Sequence, residues 1–187
     1  MRRAATRAVT CAVAALLLRA DVLPAQGPTR IISVNPFLPL AGSFQGEFES
    51  RLRENLSVAV AASYLAPGDN DDDRFANADV KLRLYPSERA LQGLGIAAGV
   101  GVGRQSTVNF VDCVGFSPCT YRRRSATSPT FSVEMQYQWL LGKQRNTAVT
   151  VGGGARRYFL LEDSPTGFDQ FNDYMPTLRL TIGYAFR

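Results

Sequence analysis

Alternation of apolar residues with small or polar ones is the dominant pattern of this chain, and its last eleven residues, TLRLTIGYAFR, show it most clearly. Every second residue from 178 to 186 is apolar, and the residues between them are threonine, glycine, alanine or the charged Arg179. Strict alternation of this kind predicts a β-strand with one apolar face. The fold therefore depends on what this apolar face contacts.

Seven further segments alternate in the same way, and no segment after residue 28 has the period of a long amphipathic helix. The first strand is the weakest, because Pro36 and Pro39 interrupt it and proline cannot donate a hydrogen bond to a strand ladder. We predict eight strands, at residues 30–36, 43–53, 56–65, 75–85, 93–105, 130–140, 147–159 and 177–186.

The connections between the predicted strands alternate in length. Short polar segments, RENL, PSERALQ and LGKQRN, follow the second, fourth and sixth strands. Longer segments, APGDNDDDR, residues 106–129 and LLEDSPTGFDQFNDYMP, follow the third, fifth and seventh, and only FLPLAG after the first is brief. Short turns at one end and long loops at the other are typical of outer-membrane barrels. The expected fold is therefore all-β, an eight-stranded antiparallel up-and-down transmembrane β-barrel.

The two faces of the predicted strands differ in chemistry. One face is apolar and aromatic, and the other combines small residues with charged ones. A barrel of about eight strands has an interior just wide enough for side chains, so small residues there leave room for long charged ones. We expect the apolar face to contact lipid and the lumen to be filled by a paired charge network of Glu47, Glu49, Arg51, Arg53, Asp79, Lys81, Arg83, Glu134 and Arg179. The reverse orientation, a soluble periplasmic lipocalin-like barrel around an apolar ligand, is the alternative.

The N-terminus predicts export. Arg2, Arg3 and Arg7 precede a short apolar stretch, and VLPAQG then offers small residues for cleavage after Ala25 or after Gly27. This is the pattern of a secretory signal peptide at residues 1–25, with the barrel domain at 29–187. Its removal takes away four arginines and one aspartate, so the net charge falls by three from +5 to +2. The basic pI belongs largely to this segment and does not indicate nucleic-acid binding.

Three stretches, ISVNPFLPLAGSFQGEFESRL, VKLRLYPSERALQGLGIAAGVGVG and the terminal LTIGYAFR, resemble a family of small bacterial outer-membrane barrels, and more broadly the OmpA-like and OmpX-like eight-stranded group. The resemblance implies a location in the bacterial outer membrane, contact with its lipid and insertion by the barrel-assembly machinery. Members of the group usually finish on an aromatic residue that this machinery reads. Here Phe186 is followed by Arg187, which displaces that signal by one residue.

Candidate chemistry is sparse. The chain has no histidine, and a hydroxyl nucleophile needs an adjacent base. We therefore expect no enzyme, no cofactor and no metal site, and a lipid-modifying outer-membrane enzyme is the weaker alternative. Asp69, Asp71 and Asp73 match the first ligand positions of a calcium loop, but Arg74 stands where the turn glycine is needed. Whether this acidic loop binds a divalent ion is left open.

The loop between the fifth and sixth predicted strands carries the remaining candidate features. Cys113 and Cys119 are close in sequence in an exported chain, which predicts a disulfide. The residues after them, Arg122, Arg123 and Arg124, suit phosphate groups, since guanidinium groups bind phosphate with two parallel hydrogen bonds. They are candidate contacts to lipopolysaccharide or to a protein partner. The predicted role is non-enzymatic, with surface loops that serve structural or interaction functions.

Overall fold

The structure, a computed structural model, describes residues 27–66, 74–87, 89–112, 120–159 and 174–187, and for 107–112 and 120–124 it describes the backbone alone. A short 3₁₀ helix, Leu38–Ala41, lies between the first two strands. The eight strands are β1 Arg30–Val34, β2 Phe44–Arg51, β3 Leu56–Leu65, β4 Arg74–Leu84, β5 Gly93–Asp112, β6 Thr120–Leu141, β7 Thr147–Tyr158 and β8 Tyr174–Phe186.

Each strand pairs with the next in antiparallel orientation, and β1 also pairs with β8, so the sheet closes. The predicted eight-stranded up-and-down barrel is confirmed. The terminal strand β8 closes the barrel, because it pairs with both β1 and β7: Ile182 lies opposite Val34 of β1 and Val149 of β7. Closure gives every strand two neighbours and leaves no open edge. In the described part of the chain, no helix is long and apolar enough to cross a membrane.

The hairpin of β5 and β6 is longer than predicted. Residues 106–129 were expected to form a loop, but β5 continues to Asp112 and β6 begins at Thr120. The neighbouring strands stop earlier, since β4 begins at Arg74 opposite Ser106 and β7 ends at Tyr158 opposite Thr130. Beyond those points the described residues show β5 paired with β6 alone, apart from a hydrogen bond from the Phe159 amide to the Pro129 carbonyl. Because this ribbon extends past β4 and β7, its sequence does not have to keep a small or polar lumen face, and the alternation is lost in the β6 segment TYRRRSATSP.

The strands turn their polar side chains inward. In β4, for example, Asp79, Lys81 and Arg83 are at most 3% exposed, whereas Leu82 and Leu84 on the opposite face are about half exposed. Most of the large exposed hydrophobic residues lie on this outward face: Ile32, Val34, Phe44, Val60, Tyr64, Leu82, Leu84, Leu94, Ile96, Val100, Val102, Phe131, Val133, Met135, Tyr137, Trp139, Val151, Leu178, Leu180, Ile182 and Tyr184. The barrel is thus inverted relative to a soluble protein, with charged side chains inside and apolar side chains outside.

Apolar residues close the end of the barrel that carries the short turns. The β4–β5 turn, expected to be a polar connection, folds its Leu91 into the mouth, where the side chain is fully buried. It belongs to a cluster with Ile31, Tyr85, Ala148 and Ala185. The Gln138 Nε2 donates a hydrogen bond to the Leu91 carbonyl oxygen at 2.7 Å, which anchors the turn to the neighbouring strand β6. This small cluster is the apolar core of the interior.

Candidate functional site

The charged interior of the barrel is the principal candidate site, and strand register explains how it fits. Lys81 of β4 lies between Ala59 of β3 and Gly99 of β5 in the ladder. A Cβ atom placed on Gly99 would lie 2.7 Å from Cγ of Lys81, so the lysine side chain occupies the space that this glycine leaves. Arg83 likewise lies between Ser57 and Ala97. Small residues on neighbouring strands make room for each long charged one.

Five charged groups at mid-barrel share ion pairs. Glu47 Oε1 lies 2.5 Å from Arg179 Nη1 and 3.1 Å from Arg83 Nη2. Glu134 binds Arg179 at 3.2 Å through Oε2 and Lys81 Nζ at 2.6 Å through Oε1. Lys81 Nζ also lies 4.0 Å from Glu47 Oε2, so Glu47, Arg179, Glu134 and Lys81 form a closed ring of alternating charge.

Glu49 extends this ring toward the turn end. Its Oε2 lies 2.5 Å from Arg83 Nη1, which links it to Glu47 through the same guanidinium. Its Oε1 accepts hydrogen bonds from the Tyr85 hydroxyl at 2.7 Å and from the Ser57 hydroxyl. The resulting cluster, which we call the central network, contains three carboxylates and three cations: Glu47, Glu49, Glu134, Lys81, Arg83 and Arg179. Its formal charge is balanced, as burial of charge requires.

A separate pair lies toward the loop end. Asp79 forms an ion pair with Arg156 of β7 and also accepts hydrogen bonds from Asn77 Nδ2 at 2.6 Å and from Thr130 Oγ1 at 3.4 Å. Asp79 is 3% exposed and Arg156 9%. The lumen is therefore charged along much of its length, and each of these ion pairs joins opposite charges on two different strands.

The structure brings together seven of the nine expected lumen residues: Glu47, Glu49, Asp79, Lys81, Arg83, Glu134 and Arg179. The other two lie at the turn end. Arg51 is half-buried at the last position of β2, and Arg53 is exposed in the β2–β3 turn. The expectation for Arg53 was wrong, because β2 ends at Arg51 and the strand alternation does not extend into the turn.

Sequence reasoning missed Arg156 and Tyr85, which contact carboxylates in the lumen. Arg156 stands beside Arg157 in the segment GGGARRY, and only one of them can point inward. Counting by twos from the inward-facing Thr150 along β7 identifies Arg156, which is buried. Tyr85 directly follows β4, and it continues the series of every second residue that contains Asp79, Lys81 and Arg83. In both cases the signal is the even spacing along the strand: each residue lies an even number of positions from an inward-facing residue of the same strand, so its side chain also faces inward.

The other candidate residues lie partly or wholly outside the described residues. Cys113, Cys119 and the acidic stretch with Asp69, Asp71 and Asp73 are outside them. Arg122, Arg123 and Arg124 are part of β6, where only their backbone is described. Within the described ranges no group of three or more histidine, cysteine, aspartate or glutamate residues is arranged to hold a metal ion.

Aromatic residues mark both ends of the outward face. Near the turn end, the Tyr137 and Trp139 rings lie 4.6 Å apart and Tyr184 stacks on Phe186. Near the loop end, Arg157 lies over the rings of Phe159 and Tyr174, with its guanidinium carbon 5.3 and 5.2 Å from the two centroids. Further exposed aromatic residues at the loop end are Phe44 and Tyr64.

The spacing of these aromatic groups can be estimated on β8. Tyr174 and Tyr184 are ten residues apart on one strand, and at about 3.3 Å per residue this is roughly 33 Å along the strand. A strand tilt of about 40° reduces the separation to about 25 Å along the barrel axis. This equals the height of the apolar band of outer-membrane barrels, which is also about 25 Å.

Comparison with known proteins supports the fold. No protein-family model matches the sequence, and no curated protein matches it significantly. Among solved structures, the chain is similar to the N-terminal β-barrel domain of Pseudomonas aeruginosa OprF, with a TM-score of 0.50 and 13% sequence identity. The match covers 86% of this chain and 98% of that one. At this identity the likeness concerns the architecture: both chains form an eight-stranded β-barrel of the kind that the OmpA-like resemblance implies.

Proposed function

We propose that this protein is a non-enzymatic β-barrel of the bacterial outer membrane, exported by a signal peptide at residues 1–25. Its outward face contacts lipid, its lumen is closed by charge pairs and an apolar plug, and its loops carry structural or interaction roles. The single observation that supports this most strongly is the inversion of the wall, with Arg83 fully buried and Leu82 beside it exposed.

The inversion supports a membrane location because a bilayer and water favour different surfaces. In a bilayer every backbone hydrogen bond must be satisfied within the protein, and a closed barrel does this. An outward face with large exposed hydrophobic residues on all eight strands would be an aggregation hazard in water. The aromatic residues at both ends, about 25 Å apart along the axis, fit the two interfaces of a membrane.

The alternative of a soluble lipocalin-like barrel requires the opposite arrangement. Such a protein binds an apolar ligand in its interior, so its inner face is apolar and its outer face is polar. Here the centre of the interior is occupied by the central network, and the apolar cluster is confined to the turn end. The lipid-modifying enzyme is disfavoured for a different reason, since the chain has no histidine to activate a hydroxyl group.

The proposal is tested by expressing the full chain in a Gram-negative host and separating the membranes on a density gradient. We expect the protein in the outer-membrane fraction and a change in gel mobility when the folded barrel is heated in detergent. Recovery as a soluble monomer that needs no detergent and shows no heat-dependent mobility would contradict the proposal. The barrel-assembly machinery would be the partner for insertion, so its depletion should reduce the amount of folded protein.

A role for the loops is a separate part of the proposal. The β5–β6 hairpin extends beyond the wall and includes the positions of Arg122, Arg123 and Arg124, next to Cys113 and Cys119 in sequence. A projecting hairpin with three arginines suits a lipopolysaccharide phosphate or an acidic protein surface. Replacing the three arginines together by glutamine should weaken such binding while leaving the heat-dependent mobility of the barrel unchanged.

A further inference from the structure

The outer wall has a concave site near the loop end, on the four neighbouring strands β3, β4, β5 and β6. It encloses about 420 Å³ and is lined by Tyr64, Arg74, Ala76, Arg104, Ser106 and Ser125. Strand parity places all six side chains on the outward face, because the buried residues of these strands, such as Asn77 and Gln105, lie at the intervening positions. The site therefore opens sideways from the barrel and not into its lumen.

Two cross-strand rows build the site. In the first, Ala76 lies between Tyr64 and Arg104 in the ladder, so a large aromatic and a long cationic side chain flank a methyl group. In the second, Ser106 lies between Arg74 and Ser125. The small residues Ala76 and Ser106 form the floor of the depression and the larger residues form its sides. Arg104 Nη2 donates a hydrogen bond to Ser125 Oγ at 3.4 Å, which holds the guanidinium over the floor.

The apolar band begins directly below this site. Val102, two residues from Arg104 on β5, is about half exposed, and the next outward residue, Val100, is more exposed still. Two residues of a strand span roughly 7 Å. Outward alanines at positions 62 and 78 are paired in the ladder beneath Ala76, and they continue the depression toward the band. The arginines thus lie at headgroup level and the small residues lead toward the level of acyl chains.

We propose that this depression binds the phosphate headgroup of an outer-leaflet lipid, with Arg104 as its principal ligand. Guanidinium groups pair with phosphate through parallel hydrogen bonds, and the two serine hydroxyls add donors. An acyl chain lies over Ala76 and the alanines below it. The lateral opening identifies the occupant, because at the edge of an apolar band the neighbouring molecules are membrane lipids. This inference rests on the proposed membrane location, and it concerns residues other than the three hairpin arginines.

The test measures lipid binding by the full mature barrel in neutral detergent, using native mass spectrometry and bisphosphorylated lipid A as the probe. Arg104→Gln should weaken binding about tenfold, which is typical of the loss of hydrogen bonds to a charged group. Ala76→Phe should weaken it about fivefold or more, because it fills the depression while both arginines remain. Arg145→Gln, an exposed arginine in a turn at the opposite end, is the matched control and should change binding less than about twofold.

Each other outcome overturns a distinct part of the account. Equal weakening by Arg104→Gln and Arg145→Gln would mean general charge attraction and no site. Unchanged binding in Ala76→Phe would place the lipid elsewhere. Displacement of lipid A by an equal concentration of inorganic phosphate would show an anion site that does not select lipid. A chain that shows no heat-dependent mobility in detergent would instead contradict the proposed membrane barrel itself.

Discussion

The inner and outer surfaces of the barrel wall have opposite chemistry, although they alternate along the same eight strands. The inner surface at mid-barrel carries three carboxylates and three cations joined by shared ion pairs, with Arg83 fully buried at its centre. The outer surface at the same level carries aliphatic side chains such as Leu180 and Val100. Neither surface would be stable in the environment of the other.

The two surfaces differ in what stabilises their side chains. Inward charges are compensated within the protein, because each carboxylate of the central network contacts at least one cation and Glu49 also accepts from two hydroxyl groups. Outward side chains make no such demand and rely on the surrounding medium. A barrel of this size thus replaces the usual apolar core by paired charges, and in the proposed membrane location lipid supplies its apolar burial.

Removal of one inward cation should have the largest effect. Arg179→Leu removes one of the two cations that Glu47 and Glu134 share, the other being Lys81, and leaves the buried central network with one uncompensated negative charge. Breaking a buried pair in this way costs about 3–5 kcal/mol. The free energy of unfolding, measured by urea titration of the barrel in detergent or lipid, should fall by that amount. Arg145→Leu, at an exposed turn position, is the control and should change it by less than about 0.5 kcal/mol. Equal losses in the two variants would contradict the assignment of faces.

A charge on the outer surface should have the next largest effect. Leu180 is the middle residue of β8 and points outward. In the proposed membrane orientation, Leu180→Arg would place a guanidinium near the centre of the bilayer, at a cost of about 2–4 kcal/mol. The same unfolding titration in lipid vesicles measures it, with Leu180→Val as the size control. A variant with unchanged stability would show that this position faces water.

Two adjacent glycines of β7, Gly153 and Gly154, allow the space for an added methyl group to be compared between the outer and the inner surface. A Cβ atom on the inward Gly154 would lie 2.7 Å from the Cα of Glu134 and closer still to the Val133 carbonyl, whereas on the outward Gly153 its nearest atom would be 3.2 Å away. Gly154→Ala should therefore destabilise the barrel by about 1–3 kcal/mol, as overpacking does. Gly153→Ala should cost clearly less, and thermal melting in detergent distinguishes the two. The reverse order would be inconsistent with the packing described here.

The smallest effect on the barrel should come from the cysteines, which lie outside the described residues. A Cys113–Cys119 disulfide would close a short ring in the β5–β6 connection and contribute about 1–3 kcal/mol to local order. In the Cys113→Ser, Cys119→Ser variant the barrel should keep its heat-dependent mobility, while protease should cut the connection faster. Alkylation and mass mapping of the native protein test the bond itself, and two freely labelled thiols would exclude it. Collapse of the barrel in the double variant would show that this connection packs into the lumen.

The strands were predictable because alternation survives wherever one surface meets the lumen and the other a different medium. Six of the eight predicted strands agree with the structure to within three residues at both ends, and among them β3 has the predicted bounds. The other two, β5 and β6, agree to within one residue only at the turn end. The prediction failed where that contrast ends: in the β5–β6 extension, where no lumen lies beside the ribbon, and at Arg53, beyond the last residue of β2.

The central network was predictable in membership but not in connectivity. Parity along a strand places Glu47, Lys81 and Arg179 on one face. It does not say that the Arg179 guanidinium reaches both Glu47 and Glu134, because that depends on how strands distant in sequence are staggered around a closed barrel. The burial of Leu91 was also unpredictable, because a single large apolar residue in the turn PSERALQ does not show whether the turn folds over the barrel mouth or away from it.

The contrast between the two surfaces can be measured directly by spin labels placed one at a time at residues 178, 180, 181 and 182 of β8, in lipid vesicles and with the native cysteines replaced by serine. We predict that labels at Leu178, Leu180 and Ile182 collide with oxygen, which concentrates in the bilayer, and are shielded from a water-soluble nickel chelate. The label at Thr181 should be shielded from both reagents, because this residue faces a filled lumen. Arg179 and Gly183 are kept, since loss of Arg179 breaks buried ion pairs and a side chain at Gly183 would meet the backbone of β1. A period of two in oxygen accessibility would support an inverted barrel in lipid. Free collision of the nickel chelate with the labels at Leu180 and Ile182 would contradict it.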